Sequence, residues 1–200
     1  MKKSIILVVL LFCVIFLAGT ACAAGGWSKV KESNGIKLYE RSVPGTGLKE
    51  FMAVTVMDAK MEVIGEALRD VPRYTEWQTD TESVQVVKKY DRNTLVTYII
   101  QDPPVIENRD IVVKNETLED YENGRAVITF HSTGEVNVPL RKNHVRITEM
   151  SGLFQMEYLG RNKTKFIYKL KADPAGNIPK KLANATMKYY PYDSLKKLKK

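Results

Sequence analysis

The sequence predicts one α+β domain, a mostly antiparallel sheet crossed by one long C-terminal helix, and three observations predict it. From Val84 to Leu170 apolar and polar residues tend to alternate, the period of a sheet with one wet and one buried face. The breaks Asp91-Arg92-Asn93, Glu122-Asn123-Gly124 and Gly160-Arg161-Asn162 divide that stretch at hairpin spacing. After Asp173-Pro174-Ala175-Gly176-Asn177 the apolar spacing lengthens to three and four, the period of an amphipathic helix.

Each element follows in chain order. Lys2 and Lys3, the apolar run Ile5 to Leu17 and the small residues Ala18 to Ala24 are the three parts of a secretory leader. The run is short for a helix that spans a bilayer, which needs about 20 residues. Ala21-Cys22-Ala23 suits cleavage after Ala23 or one residue later, so residues 1–23 are expected to leave and 24–200 to form the working domain, exported to the periplasm or beyond. Two alternatives stand: an uncleaved anchor, or a lipid on Cys22, although Gly19 occupies the place where lipoprotein leaders carry Leu.

Trp27 to Glu32 reads as a short helix closed by a turn at Asn34-Gly35, with strands near 36–41 and 50–57. Asp58 reads as the cap of a helix that runs through Arg69 on Val63, Ile64, Ala67 and Leu68. Pro72 ends it, and Tyr74 to Trp77 form an irregular turn, with Trp77 as a core anchor. Strands are expected at 84–90, 94–101, 110–118, 125–133, 145–150, 152–159 and 164–171. The last two alternate best: Phe154, Met156 and Tyr158, then Phe166, Tyr168 and Leu170, with Lys165, Lys169 and Lys171 on the other face. The final helix carries Ile178, Leu182, Ala185, Tyr189, Tyr192, Leu195 and Leu198, with Asn177 as cap and a kink at Pro191.

Composition narrows function. Both cysteines, Cys13 and Cys22, fall within or beside the leader, so the exported domain has no disulfide, thiolate metal site or cysteine nucleophile. Losing Lys2 and Lys3 takes the formal charge from +8 to +6. Lys196, Lys197, Lys199 and Lys200 sit together at the C-terminus. Export argues against nucleic acid as their partner. They suit either transient contact with an anionic membrane surface or the negative pole of the helix they end. No Gly-rich phosphate loop, His-x-x-x-His pair or nucleophile elbow occurs, so neither catalytic residue, cofactor nor metal is expected. His131 and His144 lie on different segments, and Glu149 and Glu157 could serve an acid–base enzyme only by accident. Asn115, Asn162 and Asn184 each begin a glycosylation pattern, discounted because the short leader and missing disulfides look bacterial.

An ordered set of segments resembles the START lipid-transfer domain. It runs Gly35-Ile36-Lys37-Leu38-Tyr39, Leu48-Lys49-Glu50-Phe51, Asp70-Val71-Pro72-Arg73-Tyr74-Thr75-Glu76-Trp77 and Glu107-Asn108-Arg109-Asp110-Ile111-Val112. Gly152, Asp173-Pro174…Ile178-Pro179 and Tyr190-Pro191-Tyr192-Asp193-Ser194-Leu195 complete it, over nearly the whole exported chain. The resemblance implies a helix-grip fold: a curved antiparallel sheet around an apolar tunnel, closed by the C-terminal helix and binding one lipid as a monomer. Leu182, Ala185, Thr186 and Tyr189 would then line the lid, and Phe154, Met156, Phe166 and Tyr168 the sheet wall. Arg109 and Asp110 would greet a headgroup or hold a loop to the strand start, and Tyr189, Tyr190 and Tyr192 suit the tunnel mouth or plain packing. Sterol-binding members carry a buried acid–base pair; strand 110–118 offers only Lys114 and Asn115, so sterol, phospholipid, fatty acid and terpenoid all stay open. Two other functions fit the same fold: a cyclase- or hydratase-like enzyme, and an envelope interaction module with a filled core.

Overall fold

In the computed structural model, which describes residues 26–200, ten strands form one sheet. They are β1 (Ser28–Ser33), β2 (Ile36–Ser42), β3 (Lys49–Met57), β4 (Thr81–Lys89), β5 (Thr94–Gln101), β6 (Arg109–Asp120), β7 (Arg125–Ser132), β8 (Val145–Ile147), β9 (Glu149–Gly160) and β10 (Lys163–Asp173). The order is β1-β2-β3-β10-β9-β7-β6-β5-β4, antiparallel throughout, with β8 added in parallel to β6. The link from β3 to β4 holds α1 (Met61–Arg69), a 3-10 turn at Val71–Arg73 and α2 (Tyr74–Trp77). After β10 come α3 (Lys180–Lys188) and α4 (Tyr190–Leu198).

The period-two reading holds where it was clearest. In β10, Phe166, Tyr168 and Leu170 are buried on one face, and each lies opposite a β9 residue, Phe166 against Met156 and Tyr168 against Phe154. Tyr158, expected to share their face, is exposed near the β9–β10 turn. Gly152 in β9 has a steric reason: a Cβ there would collide with the Lys169 carbonyl and the Phe130 ring. The concave face, with α1, α2 and α4 packed on it, makes the main core. A second, smaller core lies on the outer face of β5 and β6, where Val96, Tyr98, Ile100 and Val112 are covered by Val136 and Val138 of the β7–β8 connection.

Four local expectations are corrected. Residues 28–33 form β1 rather than a helix; Asn34 (φ 54) and Gly35 (φ 68) make the left-handed pair that turns a tight hairpin, and that turn lays β1 along β2. Asp58 does not cap α1, which begins at Met61 after Lys60; its carboxylate takes Lys163 at 2.8 Å instead. Asn177 does not cap the final helix, which starts after Pro179. That helix is two helices divided at Tyr189. Pro191 falls in the first turn of α4, where its missing N–H costs no hydrogen bond, so it starts a helix rather than kinking one. Among the described residues no helix is long and apolar enough to cross a membrane.

Candidate ligand cavity

Between the concave face and the helices lies a cavity of about 40 Å³. Inward residues of alternate spacing build its walls: Ile99 and Gln101 from β5, then Ile111, Val113 and Asn115 from β6. Phe130 (β7) and Ile147 (β8) continue the surface, and β9 and β10 add Phe154, Tyr168 and Leu170. Tyr74 and Gln78 close it from the α2 side, Met187 and Tyr190 from the C-terminal helices. The void lies toward one end of β9 and β10. At their hairpin end Met156, Phe166 and Thr164 are fully packed.

The polar groups on this surface are neutral. The Gln101 amide donates to the Tyr190 hydroxyl at 2.7 Å, and Asn115 Nδ2 donates to Thr97 Oγ1 at 3.2 Å. The Tyr74 hydroxyl donates to the Leu68 carbonyl at 2.5 Å. Burial pushes all three cavity phenols up, Tyr190 to about 12 and Tyr168 well above its ordinary value, the latter aided by Tyr190 and Tyr74 nearby. They therefore stay protonated at any physiological pH. Beside the cavity, the Trp77 indole N–H is buried without a partner among the described residues.

The structure divides the residues singled out from the sequence. Phe154 and Tyr168 line the cavity, while Met156 and Phe166 lie in the packed core beyond it. On the lid, Ala185 and Tyr189 are exposed, and Leu182 and Thr186 are half-buried outside the lining. The inward stripe is Ala183, Met187 and Tyr190 instead, with the same spacing of four and three but displaced one residue along the helix. Leu182 drew the sequence reading toward the wrong stripe because it is larger than Ala183, although Ala183 is the one at 1 % exposure. Asn115, one of the two residues that strand 110–118 offered, does line the cavity, whereas Gln78 and Gln101 gave no signal as site residues because a lone amide at the end of an element reads as a boundary; the inward alternation Ile99, Gln101 was the available clue. Tyr192 faces the other end, where its hydroxyl meets Ser33 and Asn34.

Arg109 and Asp110 are both 1 % exposed and point to opposite faces of β6. Arg109 donates to the carbonyls of Glu107, Pro174 and Ala175, fastening the loop before β6 to the loop after β10. Asp110 accepts from Arg146 at 2.8 and 2.7 Å and from Tyr98 at 2.7 Å. Burial works to raise its carboxyl, but those hydrogen bonds outweigh burial and hold it below the usual carboxylate range. Lys199 stands at the far end from α3, where it reaches Thr55 and Asn34, whereas Asn184 of α3 bonds Gly47 and Lys49.

A curved antiparallel sheet gripping a C-terminal helix over a mostly apolar cavity defines the helix-grip class. Within that class the START domain family model matches residues 15–200, and the chain belongs to that family, whose members bind and transfer lipids. An uncharacterised protein of Pseudomonas aeruginosa is 27% identical over 199 residues, covering 100% of this chain and 97% of the other. The STAR-related lipid transfer protein of Xanthomonas axonopodis, solved as a crystal structure, superposes with TM-score 0.79 at 28% identity, over 87% of this chain and 97% of that one. The bovine phosphatidylcholine transfer protein is 23% identical over 82% of this chain and 78% of its own length.

Proposed function

We propose that the exported protein binds a single apolar lipid in this cavity and carries it between membranes without altering it, acting as a monomer. The observation that carries the reading is a mostly apolar space inside the sheet whose roof, α3, is held far less firmly than its walls. Membership of a lipid-transfer family supports it. Lipid-sized pockets run to several hundred Å³, so entry requires α3 to lift and Met187 to swing aside. Basic residues on both helices, Lys181 and Lys188 on α3 as well as Lys196, Lys197, Lys199 and Lys200 at the tail, would draw the protein to an anionic bilayer at about 1 kcal/mol each near the surface.

The test is native mass spectrometry and lipid extraction of protein recovered from its host's envelope, followed by transfer of fluorescent lipids between vesicles. One bound lipid and transfer with unchanged ligand mass are expected; conversion of the ligand to a new mass would overthrow the carrier reading in favour of an enzyme. The small void favours one second reading, an envelope interaction module with a filled interior, and absence of both bound lipid and transfer would leave that reading in place. Export is tested separately: the N-terminus should be Ala24 or Gly25, Met1 would refute cleavage, and diacylglycerol on Cys22 would mark a lipoprotein.

A further inference from the structure

We infer that the ligand, on the carrier reading above, is electrically neutral inside the protein: an apolar body with one small hydrogen-bonding group such as a hydroxyl, ketone or ester. Among the described residues no charged side chain lines the cavity. Moving an ionised carboxylate or phosphate from water into such a space is strongly unfavourable unless a countercharge meets it. Along the cavity the inward positions of β5 and β6 are uncharged, Thr97 and Asn115 being hydrogen-bonded to each other at 3.2 Å, and the one inward cation of β6, Arg109, lies at the strand start outside the lining. The phenols supply none either, since burial keeps them protonated.

Polar capacity is nevertheless present, in neutral form. Among the described residues, the Tyr168 hydroxyl, the Gln78 amide and the carbonyl side of the Gln101 amide have no protein hydrogen-bond partner, and all three residues line the cavity. A single hydroxyl or ester can satisfy such groups, whereas a pure hydrocarbon would leave them unpaired.

The neighbouring pocket does not reverse the argument. It shares Gln101, Met187 and Tyr190 with the cavity and adds Arg109 and Asp80, so lifting α3 joins the two spaces. The Arg109 guanidinium is already engaged by three backbone carbonyls. Asp80 faces the same pocket; burial pushes its carboxyl up, Lys197 opposes, and Asp193 and Asp102 add to the rise. An anion that reached Arg109 would share the pocket with the Asp80 carboxylate, so the pocket offers no net countercharge.

The experiment compares matched probes on the purified protein: methyl pyrenedodecanoate, pyrenedodecanoate at about pH 8, where the free acid is ionised, and pyrene-labelled phosphatidylcholine. The ester is expected to bind at least about tenfold more tightly than the carboxylate, and more tightly than the phospholipid. A carboxylate or phospholipid bound as tightly as the ester overturns neutrality while leaving the carrier reading intact. No binding of any probe, with no lipid in the native extract, overturns both. Tyr168→Phe, which removes one oxygen, and Gln101→Leu should each weaken the ester by about two- to tenfold without weakening dodecylpyrene, which then leaves one polar group fewer unpaired. Equal losses for ester and hydrocarbon would show that these residues act by packing, which refutes their hydrogen-bonding role.

Discussion

Of its nine residues α4 buries Tyr190, Pro191, Tyr192, Ser194 and Leu195, whereas α3, equally long, buries only Ala183 and Met187. Both lie on the same concave face. Beneath α4 the hairpin end of β9 and β10 is filled by Met156 and Phe166, and Ser194 accepts the backbone N–H of Thr79 at 3.1 Å. Beneath α3 the same two strands end in a void, and the helix is held at its edges by Asn184 and by a Lys180–Asp173 pair at 2.6 Å. An element with few buried apolar contacts opens at a lower free energy than the fold as a whole. One concave face therefore provides both a fixed frame and a movable roof, and the sequence break at Tyr189 and Pro191 separates them.

Matched truncations test that contrast most severely. Leu195→Ala should cost about 3–5 kcal/mol, near the upper range for buried Leu→Ala, while Met187→Ala should cost about 1–2 kcal/mol because one side of that side chain already faces a void. Urea unfolding measures both, and equal costs would break the comparison. The outer face of β6 gives a next, smaller effect. Asp110→Asn should lose about 2–3 kcal/mol, the worth of charge-assisted hydrogen bonds. Because the folded carboxyl titrates below its unfolded value of about 3.9, its contribution is complete above that pH and disappears as pH falls through the lower folded value. Stability of the parent protein should thus drop below about pH 4 more steeply than that of Asp110→Asn.

Asn184→Ala should sharpen the comparison at about 1–2 kcal/mol, since it deletes the bonds of 2.8 and 3.0 Å that clamp α3 to the β2–β3 turn. Hydrogen exchange should accelerate across α3 and not across α4; acceleration in both would mean that the helices move as one. The smallest effect belongs to Ala185→Trp. Ala185 faces solvent, so the change should stay within about 0.5 kcal/mol and leave lipid uptake intact. Blocked uptake would restore the lid stripe that the sequence suggested, Leu182, Ala185, Thr186 and Tyr189, in place of Ala183 and Met187.

What the sequence by itself determined was the set of patterns that need no partner to be read. Period two in 164–171, the turn at Asn34-Gly35 and the change of period after Asp173 are local consequences of backbone geometry, and the strands and the α+β class follow from them. Local pattern could not decide which of two interleaved stripes on α3 turns inward, because Leu182 and Ala183 differ by one position and only the sheet beneath selects between them. It could not make 28–33 a strand, since an edge strand of mostly polar residues is specified by its neighbour β2. Nor could it pair Asp110 with Arg146, 36 residues away, or part it from Arg109 beside it in the chain. Alternation sends adjacent β6 side chains to opposite faces, but only the packed sheet gives those faces their different occupants: a neutral cavity on one side and an ion pair on the other.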